Sequence, residues 1–318
     1  MNFFLKRIFI ALLTLFLVSV VCFFAFSVIH GDPSASLGGI WVTPEQLEEL
    51  REEMGLNRNV FVRYFDWVIN FICGNPGNSF YFRGESISLL VAERLSVSIS
   101  LALLSLFFIV IISLSVSLLT VKKQGNITDN IVNIFTAAGL STPGFFLGLL
   151  FIFIFGFSFK LFIPGNFISP GDNFFGFFGC LFFPALAIAI PNSAILIKFL
   201  RGSLFAELQS DYVRTARSKG AGRLYIIKNH VLKNACLPAI TILGMIIAEV
   251  FSGSVIIEQV FSIPGIGRLL ITAISSRDYP LIQALMIYIA FLVVTANMLA
   301  DIIIMLIDPR IKQIRKIR

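Results

Sequence analysis

The chain has 318 residues, 57% of them apolar and only 14% charged, with a formal net charge of +7. Such a composition excludes an ordinary soluble domain. The apolar runs exceed the roughly 20 residues that a helix needs to cross the hydrocarbon core, and they lack the ~10-residue alternation of a β-barrel, so the expected class is an all-α polytopic membrane protein.

The N-terminus starts like a signal peptide, with Lys6-Arg7 before an apolar run, but the run is too long and no small-x-small cleavage site follows. A retained span 1 over about 8–29 is therefore expected. Residues 30–94 are polar and mixed in charge, and read as a small extracytoplasmic helical insertion. Within it Thr43-Pro44-Glu45 has the cap, first-turn proline and acidic start of a helix. Span 2 covers about 95–121 without a charge and ends at Lys122-Lys123. Span 3, about 131–159, carries Pro143 near its middle and should kink there. Span 4, about 174–197, is expected to be broken at Pro184 and Pro191.

Next comes a basic segment, 198–234, with Lys198, Arg201, Arg214, Arg217, Lys219, Arg223, Lys228 and Lys233 against Glu207 and Asp211. In so apolar a chain it must lie in water. Phe205, Leu208, Tyr212 and Ala216 recur at helical spacing while Glu207, Asp211, Arg214 and Ser218 take the other side, which predicts a short amphipathic helix stopped by Gly220 and Gly222. Span 5 follows at about 235–257 and span 6 at about 281–307. Between them, Phe261-Ser-Ile-Pro-Gly-Ile-Gly267 looks superficially like a nucleotide-binding glycine motif, but Leu270 stands where the third glycine belongs and no strand precedes it. It reads as a turn or a re-entrant segment. Lysine and arginine concentrate before span 1, between spans 2 and 3, in 198–234 and after span 6, which predicts six spans with both termini cytoplasmic.

The sequence contains no G-x-x-x-x-G-K-[ST] stretch and no Gly-Lys pair, so any ATP would be hydrolysed elsewhere. A Ser/His/Asp set and H-E-x-x-H are also missing, and no catalysis is expected of the chain itself. The cysteines, Cys22, Cys73, Cys180 and Cys236, show neither zinc spacing nor a disulfide framework, although Cys73 and Cys180 fall on one side of the expected topology, which leaves a bridge between them open. With only His30 and His230 present, no histidine metal site is expected. Intramembrane polar groups remain as candidates: Glu249 in span 5, and Asn297 with Asp301 four residues later in span 6. An ionised carboxylate in mid-span costs ~2.5–3.5 kcal/mol on insertion scales. Such groups fit either a proton or cation pathway, or polar contacts within the bundle and a watery translocation cavity.

The run Asp-Tyr-Val-Arg-Thr-Ala-Arg-Ser-Lys-Gly (Asp211 to Gly220) resembles the cytoplasmic loop of ABC importer membrane subunits, most closely the dipeptide, oligopeptide and nickel permease family. The likeness extends through Gly31-Asp32-Pro33, Gly55-Leu56, Gly77-Asn-Ser-Phe80, Pro143, Ile257-Glu258, Pro264-Gly265-Ile266-Gly267, Arg277-Asp278-Tyr279-Pro280 and Asp308-Pro309-Arg310. It implies a type I importer permease architecture in the bacterial inner membrane. It further implies a second homologous permease, two ATP-binding subunits that carry the ATP and Mg²⁺, an extracytoplasmic substrate-binding protein, and no nucleic acid. In this resemblance Glu207, Asp211, Tyr212, Arg214, Thr215, Ala216, Arg217 and Gly220 form the coupling loop that meets the ATPase. Arg214 and Thr215 replace the usual leading glutamate and alanine, while Ala216 and Gly220 match the small positions that let the loop's two helices meet. Bulk at Gly220 is accordingly expected to separate them. Asp211 to Arg214 looks like the peptide importers, whereas Gly244-Met245, Glu249 and Ser252-Gly253 have some likeness to the nickel ones; peptides are the expected substrate and nickel the alternative.

Overall fold

The computed structural model describes residues 3–29, 58–122 and 127–307. The helix start at Thr43-Pro44-Glu45 and the motifs at Gly31-Asp32-Pro33, Gly55-Leu56 and Asp308-Pro309-Arg310 lie outside them. The described residues form helices α1 (Phe3–Ile29), α2 (Val60–Ile72), α3 (Ile87–Lys122) and α4 (Ile127–Ser141). Then follow α5 (Gly144–Ser158), α6 (Phe174–Leu208), α7 (Asp211–Ser218), α8 (Arg223–Val260), α9 (Ile266–Ser275) and α10 (Tyr279–Ile307). Five helices are individually long and apolar enough to cross a membrane, and the bent pair α4–α5, counted as one span, makes six. Among the described residues the only extended pairing is a single bridge between Asn78 and Ser86.

The third apolar stretch departs from a simple kink. Thr142-Pro143 separates α4 from α5 and the two axes differ by 103°. The hydroxyls of Ser141 and Thr142 donate to the Ala137 and Ala138 carbonyls at 3.0 and 2.8 Å, satisfying acceptors that the end of α4 leaves open. The fourth stretch departs the other way, since α6 runs unbroken through Pro184 and Pro191 to Leu208. Each proline removes one N–H from the helix ladder, a loss that membrane helices tolerate. Pro191 leaves the Ala187 carbonyl without its usual donor, and Gly144 lies against that oxygen so closely that a Cβ would come within 3.1 Å of it.

The chain divides into two compact units. One comprises residues 1–98 and 264–294. Its core joins Ile87, Leu90 and Val91 of α3 to Ile266, Leu269 and Ala273 of α9 and Leu281, Ile282 and Leu285 of α10, all nearly solvent-free. Helix α3 begins at Ile87, ahead of the charge-free stretch that starts near residue 95, and its first turns carry these buried residues. Around this core, Tyr64 shares a 2.8 Å hydrogen bond with Ser19, and its ring packs edge-on to Phe23. The supposed turn or re-entrant segment at 261–267 is a turn followed by the amphipathic α9, whose first N–H, on Ile266, donates to the Ser98 hydroxyl at 2.9 Å.

The second unit comprises residues 99–263 and 295–318. Helix α6 lies at its centre against α4, α5 and α8. Ala185, Ala187, Ala189 and Ala194 are buried on α6, and small side chains let membrane helices approach closely. Gly139 of α4 shows how closely: a Cβ there would meet that of Ala194 at 2.9 Å.

Candidate functional site

The basic segment is less a loop than a short helix hung between two long ones. Helix α6 carries Phe205 and Leu208, the chain turns at Gln209-Ser210, and α7 carries Tyr212 and Ala216; the periodicity expected of one amphipathic helix is thus divided between two. The turn is fixed by hydrogen bonds from both sides. The Ser210 hydroxyl donates to the Glu207 carbonyl and the Tyr212 hydroxyl to the Glu207 carboxylate, each at 2.5 Å. Partial burial, together with that bond to Glu207, holds the Tyr212 phenol above its ordinary pKa. Beyond the turn, only Val213 of α7 is buried. Asp211, Arg214, Thr215 and Arg217 are exposed, as are Ser218, Lys219 and Gly220. Arg214 approaches Asp211 at 3.6 Å, but both are largely solvated, so the pair adds little stability.

Gly220 has φ +81°. The Gly220 N–H donates to the Arg217 carbonyl at 2.9 Å and the Ala221 N–H to the Ala216 carbonyl at 3.1 Å, the pair of bonds that defines a Schellman cap with glycine in the left-handed position. A Cβ at Gly220 would meet no atom within 4 Å. This corrects the expectation that Gly220 is small so that two helices can touch: within this chain the space is open, and the backbone dihedral requires the glycine. Gly220, not Gly222, stops α7. Gly222 precedes α8, with its carbonyl accepting from Ile226 at 3.1 Å.

Helix α8 starts at Arg223, inside the basic segment, and continues through a π-helical turn at Ile227–Val231 to Val260. The second half of the segment is therefore the first turns of the fifth apolar helix. Two arginines tie this end of the unit together. Arg223 donates from Nη2 to the Val121 carbonyl at 2.8 Å, closing an acceptor at the end of α3. Arg201, 8% exposed, pairs with Asp129 and donates to Asn133 Oδ1 at 2.8 Å, both on α4. Sequence reasoning grouped Arg201 with the solvated cations; the visible signal was its position on the first turn beyond Ile197, opposite Asp129 at the start of another helix.

Glu249 is exposed on α8, on a stripe with Met245, Ser252 and Ile256. Asn297 is exposed on α10 and Asp301 half-buried. All four cysteines are free thiols. Among the described residues, no three of His, Cys, Asp and Glu cluster as metal ligands would.

A cluster that sequence reasoning did not single out as a site joins two of its quoted motifs. Asp278, 1% exposed, accepts from the Ser79 hydroxyl, from the Tyr81 N–H at 3.0 Å and, as the N-cap of α10, from the Leu281 N–H at 3.3 Å. Gly77-Asn-Ser-Phe80 and Arg277-Asp278-Tyr279-Pro280 thus meet in one knot.

Known proteins match the chain along its length. Residues 118–313 match the family described as binding-protein-dependent transport system inner membrane component, and residues 1–102 match its N-terminal membrane component. A probable peptide ABC transporter permease protein of Sinorhizobium fredii is 33% identical over 97% of this chain and 98% of its own. A putative peptide transport system permease protein of Brucella abortus, at 32%, and the dipeptide transport system permease protein DppB of Lactococcus lactis, at 31%, are covered to the same extent. With its apolar helices and basic connecting segment, the chain therefore belongs to the binding-protein-dependent transport system inner membrane components, as a multi-pass ABC importer permease of the peptide family.

Proposed function

We propose that the chain forms half of the translocation pathway of an ATP-driven importer of di- and oligopeptides. Its partners in this reading are a second homologous permease, two ATP-binding subunits and an extracytoplasmic substrate-binding protein. The observation that carries the reading is α7: an exposed helix buried at one residue and set between two long membrane helices, joined to α6 by residues 209–210 and to α8 by residues 219–222. A subunit gripping α7 would move both helices together. Asp211, Tyr212, Arg214, Thr215, Ala216, Arg217 and Gly220 are the contact surface, with Glu207 bracing its near end.

In this reading both termini and α7 are cytoplasmic, and ATP with Mg²⁺ is bound by the partners. The Glu249 stripe, with Asn297 and Asp301, faces the translocation path or the sister permease, because a carboxylate left against lipid would be costly. The test is affinity purification of the tagged chain from its native membrane, followed by uptake in vesicles. Co-recovery of two nucleotide-binding subunits and a sister permease, with ATP-dependent uptake of a labelled tripeptide, is the expected result. Uptake of Ni²⁺ instead of peptide would reassign the substrate. Recovery of the chain alone, transporting under an ion gradient, would overturn the ATP-driven reading and make Glu249 the first residue to mutate.

A further inference from the structure

Beside the Arg201–Asp129 pair, on the flank of α4 away from α3, lies a cavity of about 370 Å³ lined by Asn133, Thr136, Ala137 and Leu140 of α4 and Lys198, Arg201, Gly202 and Phe205 of α6. Its chemistry is that of a cationic polar pocket. Lys198 is exposed. Arg201 is buried with two donors engaged by Asp129 and Asn133, while its Nε–H has no partner among the described residues. Since Asp129 balances Arg201, the cavity keeps the net charge of Lys198. Thr136 turns its hydroxyl back to the Val132 and Asn133 carbonyls, so the polar groups left to line the cavity are Lys198, Arg201 and Asn133.

Depth identifies the ligand. Helix α6 is free of charge from Phe174 to Ile197, enough to cross a ~30 Å hydrocarbon core at about 1.5 Å per residue, and Lys198 and Arg201 come directly after it. They therefore lie at the level of lipid phosphates, on the side of the membrane that carries α7. Leu140, on the cavity wall, and Phe199, next to Lys198, are 45% and 48% exposed, and supply apolar surface beside the cations. Basic pockets between membrane helices on the positively flanked side suit anionic head groups.

We infer that the α4–α6 cavity binds the phosphate head group of an anionic phospholipid, held by Lys198 and Arg201, with an acyl chain along Leu140 and Phe199. Occupancy would brace α4 against α6 at the start of the basic segment that carries α7.

The test is a thermal-unfolding titration of the assembled, delipidated transporter with dioleoylphosphatidylglycerol, dioleoylphosphatidylcholine or inorganic phosphate. Phosphatidylglycerol should raise Tm saturably and the other two should not. Lys198→Gln should weaken its apparent affinity about fivefold, while Lys160→Gln, a lysine outside the cavity, should leave it unchanged. Native mass spectrometry of the wild type, which needs no variant to fold, should show phosphatidylglycerol retained after delipidation. Equal stabilisation by phosphatidylcholine would overturn the requirement for net anionic charge. Saturable stabilisation by inorganic phosphate alone would make this a free-anion site, and a Lys198→Gln titration identical to wild type would remove the cavity from the account.

Discussion

The Asp278 knot and helix α7 invert each other. At the knot a carboxylate is 1% exposed and meets donors from two motifs 199 residues apart in sequence. On α7 a run of charges is exposed, one side chain is buried, and the ion pair present is solvated. The first arrangement spends polar groups on holding the chain together. The second holds its helix only at the ends, by Glu207–Tyr212 before and the Gly220 cap after, and leaves the face for another molecule. Polar residues quoted from one resemblance thus divide into those that serve the fold and those available to a partner.

Removing Asp278 should have the largest effect. Asp278→Ala would strand the buried Ser79 hydroxyl and Tyr81 N–H and remove the cap of α10, a loss of about 3–4 kcal/mol by the usual costs of unsatisfied groups and caps. The expected outcome in detergent is a large fall in Tm or failure to accumulate in the membrane. Asp278→Asn, which keeps an acceptor oxygen, should lose about half as much. If Asp278→Ala unfolded at the wild-type temperature, the knot would not be a stabilising element.

The Arg201–Asp129 pair comes next, because it belongs to the fold but lies at the coupling end. Asp129→Ala would leave a nearly buried guanidinium with Asn133 alone. Removing one partner of a fully buried pair costs about 3–5 kcal/mol, and the partial exposure of Asp129 reduces this to roughly 2 kcal/mol. A thermal melt checks it. The double variant Asp129→Ala, Arg201→Met should recover part of the loss, since an apolar replacement has no charge to strand.

The sequence made some of this legible and hid the rest for physical reasons. Apolar length located the membrane helices, because crossing the hydrocarbon core is a constraint that few other terms oppose. Proline was a true signal in one place and a false one in another: the axis turns by 103° at Pro143, whereas Pro184 and Pro191 stay within an unbroken α6. Helix α9 could have been found from the spacing of Ile266, Leu269, Leu270 and Ala273 after Gly265, but its ten residues are too few to stand out beside spans twice as long. Asp278 and Ser79 were quoted as separate motifs, and nothing in one sequence says that they touch. The surface of α7 could be named from its residue pattern, while the reason for Gly220 needed a dihedral angle.

Gly220 sharpens the contrast at smaller cost. An L-residue in the left-handed region costs about 1–2 kcal/mol, so Gly220→Ala should fray α7, read as faster amide exchange over Asp211–Ser218 with little change in global Tm. Asn tolerates this conformation better, and Gly220→Asn should exchange more slowly than Gly220→Ala. Because no atom lies within 4 Å, Gly220→Arg should fray α7 no more than Gly220→Ala does in the isolated chain. If Gly220→Arg alone abolished co-purification of the ATP-binding subunits, the clash would be with the partner and not within the permease.

The smallest effect tests the same cap in the other region. Helix α9 ends as α7 does, with Arg277 N–H donating to the Ile274 carbonyl at 3.2 Å and Asp278 N–H to the Ala273 carbonyl at 2.9 Å, yet the left-handed residue is Arg277, at φ +56°. Glycine would relieve that strain but enlarge the freedom of the unfolded chain, so Arg277→Gly should stabilise by about 0.5–1 kcal/mol net, seen as a small rise in Tm. The arginine side chain is exposed, so the fold alone gives it little reason to stand there. A variant that melts higher but transports less would place Arg277 with α7, among the residues this permease keeps for other molecules. A variant that melts lower would place it with the Asp278 knot beside it.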